Sequence, residues 1–161
     1  MYEISSYKDA LHLLDFAEEE CEDKTTRIYS NLLNTRASIY LDNNDLIGCR
    51  ILRGKVAQLQ KVTFDAEDSI DRELLARQLH NSGNLECAEG NWNTAIENYT
   101  SSSAVKDTIL QFSVLSYTRT QLCLGRAYYF KGEWESARVH YERSAKHFEQ
   151  DPRLSPIWIA Q

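Results

Sequence analysis

The chain has 161 residues, 42 % apolar and 26 % charged, enough for one globular domain that buries about two-thirds of its unfolded surface. Its net charge of −6, from 24 acidic and 18 basic side chains, excludes the broad basic footprint of a nucleic-acid binder. No run approaches the ~20 apolar residues of a membrane span, and no basic start with an apolar core marks a secretory signal, so no membrane partner and a cytoplasmic location are expected.

Tyr7, Ala10, Leu11, Leu14 and Ala17 recur at helical spacing and predict a helix from about Ser6 to Cys21. The acidic cluster Glu18-Glu19-Glu20-Cys21-Glu22-Asp23 follows, where the helix dipole disfavours negative charge. It is expected to help end the helix and to stay solvated; the alternative is that it meets a basic partner. Ile28, Leu32, Leu33, Ile39, Tyr40 and Leu41 predict a second helix over about 25–41. Asp42-Asn43-Asn44-Asp45 is a turn, because short polar side chains bond their own backbone. Leu46, Ile47, Ile51, Leu52, Val56 and Leu59 predict a third helix, and 61–68 a linker.

The next helix is expected from about Ser69 to Glu89, with Ser69 or Asp71 as N-cap and an apolar stripe of Leu75, Leu79, Leu85 and Ala88. Gly90-Asn91 stops it. Trp92, Ala95, Ile96 and Tyr99 mark the following helix, which Ser101-Ser102-Ser103 should weaken and which should end near Val105. A long helix from Asp107 or Ser116 to Lys131 carries Leu115, Leu122, Leu124, Ala127, Tyr128 and Phe130. Gly132 breaks it, and Trp134, Ala137, Tyr141, Ala145 and Phe148 mark the last helix, stopped by Asp151-Pro152. Leu154-Ser155-Pro156-Ile157-Trp158-Ile159 is expected to enter a further helix, an apolar terminus that suggests a piece of a longer array or a homodimer contact.

Two of these stretches are near copies. Gly83, Gly90, Trp92, Ala95 and Tyr99 recur 42 residues later as Gly125, Gly132, Trp134, Ala137 and Tyr141. A fixed period of this size marks stacked helix pairs, and such stacks present extended surfaces to other chains. The repeated position of Trp92 and Trp134 assigns both to the core.

The pattern resembles the tetratricopeptide repeat, a 34-residue helix-turn-helix unit. Gly125, Tyr128, Gly132, Trp134, Ala137 and Tyr141 fit six of its positions; Gly83, Gly90, Trp92, Ala95 and Tyr99 fit five, with Glu86 where a Tyr is usual. In the earlier pair Gly48 and Leu52 take the small and large positions, while Arg36 replaces the packing Gly and Asp45 the aromatic. The small positions Ala10, Gly48, Ala95 and Ala137 are spaced 38, 47 and 42, longer than the family's unit. Such spacing is similar to that of kinesin light chain, Leu-Gly-Asn-type polarity adaptors and NLR-like sensor arrays.

The resemblance implies an all-α, right-handed solenoid of about seven helices in a single domain: a half-repeat at 6–21, then repeats near 25–60, 69–105 and 107–150. It also implies a partner-binding groove lined by first helices. Carried over by phase, that groove comprises Leu33, Ala37 and Tyr40, then Arg77, His80, Asn84 and Cys87, then Arg119, Leu122, Arg126 and Tyr129. Three arginines, a histidine and an asparagine suit a peptide bearing carboxylates. The family's two-carboxylate clamp wants a Lys where Leu33 stands, so that particular ligand is rejected. The alternative for the arginines is pairing with neighbouring Asp and Glu.

Chemistry finds little support. There is no Gly-rich phosphate loop, GxSxG or HExxH motif, and no Cys with a His nearby. Cys21, Cys49, Cys87 and Cys123 lie 28, 38 and 36 residues apart, too far for a metal knuckle or a redox pair; small buried or half-buried thiols are expected. His140 and His147 are expected as polar surface without a third metal ligand, and His12 and His80 stand alone. The expectation is a protein-binding module with no enzymatic activity, cofactor or metal. A structural segment of a larger signalling scaffold, or a self-associating array, is the alternative; a regulator holding a small anion is a third.

Overall fold

The computed structural model describes residues 3–109 and 114–150. The apolar terminus at 154–159 and the Asp151-Pro152 stop lie outside them. Seven helices follow one another, with no strand among the described residues: α1 (Glu3–Glu19), α2 (Arg27–Asp42), α3 (Leu46–Thr63), α4 (Ser69–Ala88), α5 (Trp92–Asp107), α6 (Val114–Lys131) and α7 (Trp134–Gln150). The chain divides into two compact units, 1–65 and 66–161, and within each unit neighbouring helices pack on each other.

In the first unit, α2 and α3 form a hairpin around the expected turn. Asn44 adopts φ 60°, the left-handed region Asn tolerates. Asp45 caps α3, its carboxylate accepting the Gly48 N–H at 2.8 Å. Tyr40 of α2 lies over Gly48 of α3, where a Cβ would stand only 2.5 Å from its ring. Leu33, Ala37, Cys49, Leu52 and Val56 fill the interior. Arg36 does not merely replace a small residue. It reaches α1, pairing with Asp15 at 2.7 Å and Glu18 at 3.2 Å, while the Tyr29 hydroxyl donates to Glu18 at 2.9 Å. Glu18 is therefore fixed in the α1–α2 contact, against the expectation that the whole acidic cluster stays solvated. Helix α3 also runs to Thr63, into the stretch expected as linker.

In the second unit the duplication is structural as well as textual. Contacts Gly83–Tyr99 and Ala76–Ser102 run in opposite directions along α4 and α5, and Gly125–Tyr141 and Thr118–Ser144 do the same along α6 and α7. Each pair is thus an antiparallel hairpin, turned at Gly90 (φ 79°) or Gly132 (φ 88°), positions that favour glycine. A Cβ on Gly83 would stand 2.6 Å from the Tyr99 ring, and one on Gly125 2.7 Å from the Tyr141 ring.

Several local expectations change. Asp68, not Ser69 or Asp71, caps α4, accepting the Ile70 N–H at 2.7 Å. Helix α6 begins at Val114, since Asp107 still belongs to α5. The serines do not weaken α5, because the packed interior gives them partners. Ser102 Oγ donates to the Ala76 carbonyl at 2.6 Å, and Ser103 Oγ accepts from Gln121 Nε2 at 2.9 Å. Trp134 is 60 % exposed, not core, whereas Trp92 is half-buried because Phe130 stacks on it at 5.1 Å.

Candidate functional site

The candidate strip is best developed in the second unit, where each strip position of α4 has an α6 counterpart 42 residues on. Residues i and i+7 share a helix face two turns apart. On α4, the interior uses most of the strip. His80 Nδ1 lies 3.0 Å from Thr120 Oγ1, and its ring packs 5.4 Å from that of Tyr99. The Tyr99 hydroxyl donates to Asn84 Oδ1 at 2.7 Å and lies 3.6 Å from Cys87 Sγ. Cys87 is buried and Arg77 exposed. On α6, Arg119, Leu122, Arg126 and Tyr129 are all exposed. Neither Arg119 nor Arg126 has an ion-pair partner among the described residues, unlike Arg36 and Arg138.

The first unit does not extend this strip. Leu33 is 2 % exposed and Ala37 fully buried, so both are core positions, and Tyr40 is half-buried over Gly48. The physical reason is the α2–α3 packing. Leu33 and Ala37 fill the hairpin interior, and the neighbouring Arg36 is held by α1.

Beneath the second unit's strip runs a polar core that the sequence reading missed. Lys106, 3 % exposed, donates through Nζ to the Ser116 carbonyl at 3.0 Å and to Thr120 Oγ1 at 2.6 Å. The same hydroxyl meets His80, so α4, α5 and α6 converge on one oxygen. Burial pulls the Lys106 amine down to about 8. Gln121 links α5 to α7, donating to Ser103 and accepting at 2.8 Å from His140 Nδ1, which must carry the proton because an amide oxygen only accepts. His140 also stacks on Tyr128 at 5.3 Å, and His147 meets the Tyr117 ring edge-on, so neither is merely polar surface. Burial lowers the His140 pKa. The one available signal was Lys106 itself, at the phase of Tyr99 and Ser103 on the inward stripe of α5.

None of the four cysteines is in a disulfide; Cys49 and Cys87 are buried and Cys21 and Cys123 half-buried. Burial pushes the Cys87 and Cys123 thiols up, which makes them poor nucleophiles despite nearby Arg126. Among the described residues no three His, Cys, Asp or Glu side chains gather where a metal ion could sit, and no helix is long and apolar enough to cross a membrane. A cavity of about 340 Å³ lies at the α4–α5 turn, lined by Gly90, Asn91, Trp92, Asn93, Thr94 and Lys131. Its polar groups are largely engaged: Asn91 Nδ2 donates to Glu86 at 2.9 Å and Glu89 at 3.2 Å, and Lys131 pairs with Glu133 at 2.7 Å.

These features define an all-helical protein of packed helix hairpins, duplicated within its second unit, with an exposed cationic and apolar strip on α6. No family model matches the chain, and no curated protein matches it.

Proposed function

We propose that the chain is a protein–protein interaction module of the tetratricopeptide type, taking up a carboxylate-bearing segment of a partner protein along the α4–α6 strip. The observation that carries this reading is the pair Arg119 and Arg126: exposed, two helical turns apart, and without an acidic partner among the described residues, in a chain of net charge −6. An exposed guanidinium is a ready bidentate partner for a carboxylate. Arg77 and Asn84 stand at the same phase on α4 and continue the strip. The hairpins hold these positions on rigid helices, so a flexible segment bears most of the ordering entropy on binding.

The test uses a fluorescein-labelled peptide of alternating Glu and Leu, titrated with the full chain and followed by anisotropy. Saturable binding is expected, weakening with added salt and lost in the double variant Arg119→Glu, Arg126→Glu. Binding that survives this double charge reversal, or no binding at low salt, removes the strip as the site.

A second reading, a scaffold or self-associating array with no free peptide ligand, is favoured by one observation: the 60 % exposed Trp134 ring.

A further inference from the structure

We propose that the outward face of the α6–α7 hairpin is a seat for an amphipathic helix of a partner protein, packed as α6 packs on the α4–α5 hairpin. The internal duplication carries this inference. On the α4–α5 hairpin, Cys87, Tyr99, Ser103 and Lys106 are buried and Trp92 is half-buried. What closes that face is α6. Phe130 stacks on Trp92 with the rings 17° apart, Gln121 reaches Ser103, and Ser116 and Thr120 receive Lys106.

One copy later, 42 residues on, the same positions are Tyr129, Tyr141, Ala145, Phe148 and Trp134. Tyr129 is 49 % and Trp134 60 % exposed, Ala145 is exposed, and Tyr141 and Phe148 are half-buried. Tyr129 and Trp134 meet edge to face at 5.0 Å, so the two helices present one continuous aromatic surface. The α6–α7 hairpin thus repeats a face that is closed one copy earlier, and no described residue closes it here. It continues, in the same phase, the packed surface of α4, α5 and α6.

The exchanges between the two copies state what the occupant must be. Ser103 becomes Ala145 and Lys106 becomes Phe148, so the polar groups that Gln121 and Thr120 satisfy are gone. An occupant needs apolar side chains at those two phases and an aromatic ring at the phase of Phe130, to stack on Trp134. From Trp134 to Phe148 the seat is about 21 Å long, four helical turns. The occupant is therefore an apolar-faced helix of a partner, recognised by its knobs and not by its charge.

The probe is a labelled peptide of residues 114–131 carrying Thr120→Leu and Gln121→Leu, titrated with the full chain, with the unsubstituted peptide as comparison. The substituted peptide is expected to bind saturably, at least about tenfold tighter than the unsubstituted one. Trp134→Asp in the chain, or Phe130→Ala in the peptide, should weaken binding by about tenfold or more. Circular dichroism should show Trp134→Asp folded, since the ring is mostly exposed. No saturable binding by either peptide overturns the proposal. So does binding indifferent to Trp134→Asp, the signature of a peptide exchanging with the chain's own α6. A concentration-dependent dimer in sedimentation that Trp134→Asp dissolves overturns it as well, because the cover is then a second copy.

Discussion

Lys106 Nζ and Thr120 Oγ1 stand 2.6 Å apart in the interior of the second unit, joining α5 to α6. Burial lowers the folded-state pKa from 10.5 to about 8. Between these values the unfolded chain holds more protons than the folded one, so this residue's contribution to stability rises with pH from about 8 to about 10. Below pH 8 it is protonated in both states, and its burial cost is fully felt. The Cys87 and Cys123 thiols, raised by desolvation, act in the opposite sense, so the comparison must be with a variant that keeps them. Lys106→Met and the parent chain should be compared by urea unfolding at pH 7 and pH 9.5. The parent should gain about 1–3 kcal/mol on the variant over that interval. A difference independent of pH would show that the amine is solvated.

Gly83 and Gly125 hold the same position in the two hairpins, and alanine should separate them. The Tyr99 ring over Gly83 is fully buried and hydrogen-bonded to Asn84, so it has nowhere to move. Tyr141 over Gly125 is only half-buried and can yield. Gly83→Ala should cost about 2–3 kcal/mol and Gly125→Ala about 1 or less, although alanine is the better helix former by about 1 kcal/mol. Urea midpoints of the two variants decide it; equal costs would contradict the difference in burial.

The two buried serines of α5 should differ in cost. Ser102 donates to the Ala76 carbonyl, a group already within a helix, so Ser102→Ala should lose about 1 kcal/mol. Ser103 accepts from Gln121, which is 1 % exposed. Ser103→Ala strands the buried Nε2 and should cost about 2–3 kcal/mol. Thermal or urea unfolding of both would reveal the order, and the reverse order would mean Gln121 finds another acceptor.

Arg53 is 5 % exposed and has no ion-pair partner among the described residues. Its guanidinium donates to Asn34 and Ser38, its Nε has no partner, and burial lowers its pKa. A buried charge satisfied only in part is a poor source of stability. Arg53→Met should leave stability unchanged or raise it by about 1–2 kcal/mol. A loss above about 2 kcal/mol in urea unfolding would show that the hydrogen bonds to Asn34 and Ser38 outweigh the desolvation of the charge.

Helix positions were legible because their signals are local. Gly90 and Gly132 take positive φ, Asp45 caps its helix, and the period of 42 brings Gly83 under Tyr99 and Gly125 under Tyr141. The site was legible only in the second unit, and there only in part. Phase put Leu33 and Arg126 on one strip, but phase alone does not say which side of a helix a neighbour covers. Leu33 lies in the α2–α3 interior, while Arg126 stays open.

The sequence by itself determined the helices, their turns and the duplication, because propensity, capping and periodicity act within a few residues of each other. Tertiary structure decided which equivalent positions are buried. Trp92 and Trp134 have the same local sequence signal, yet Phe130 covers one and no described residue comparably covers the other. It also decided that Ser102, Ser103, Lys106 and Gln121 belong to the interior. Polar side chains enter a core only where partners from other helices satisfy them, and those partners lie 10 to 26 residues away in the chain.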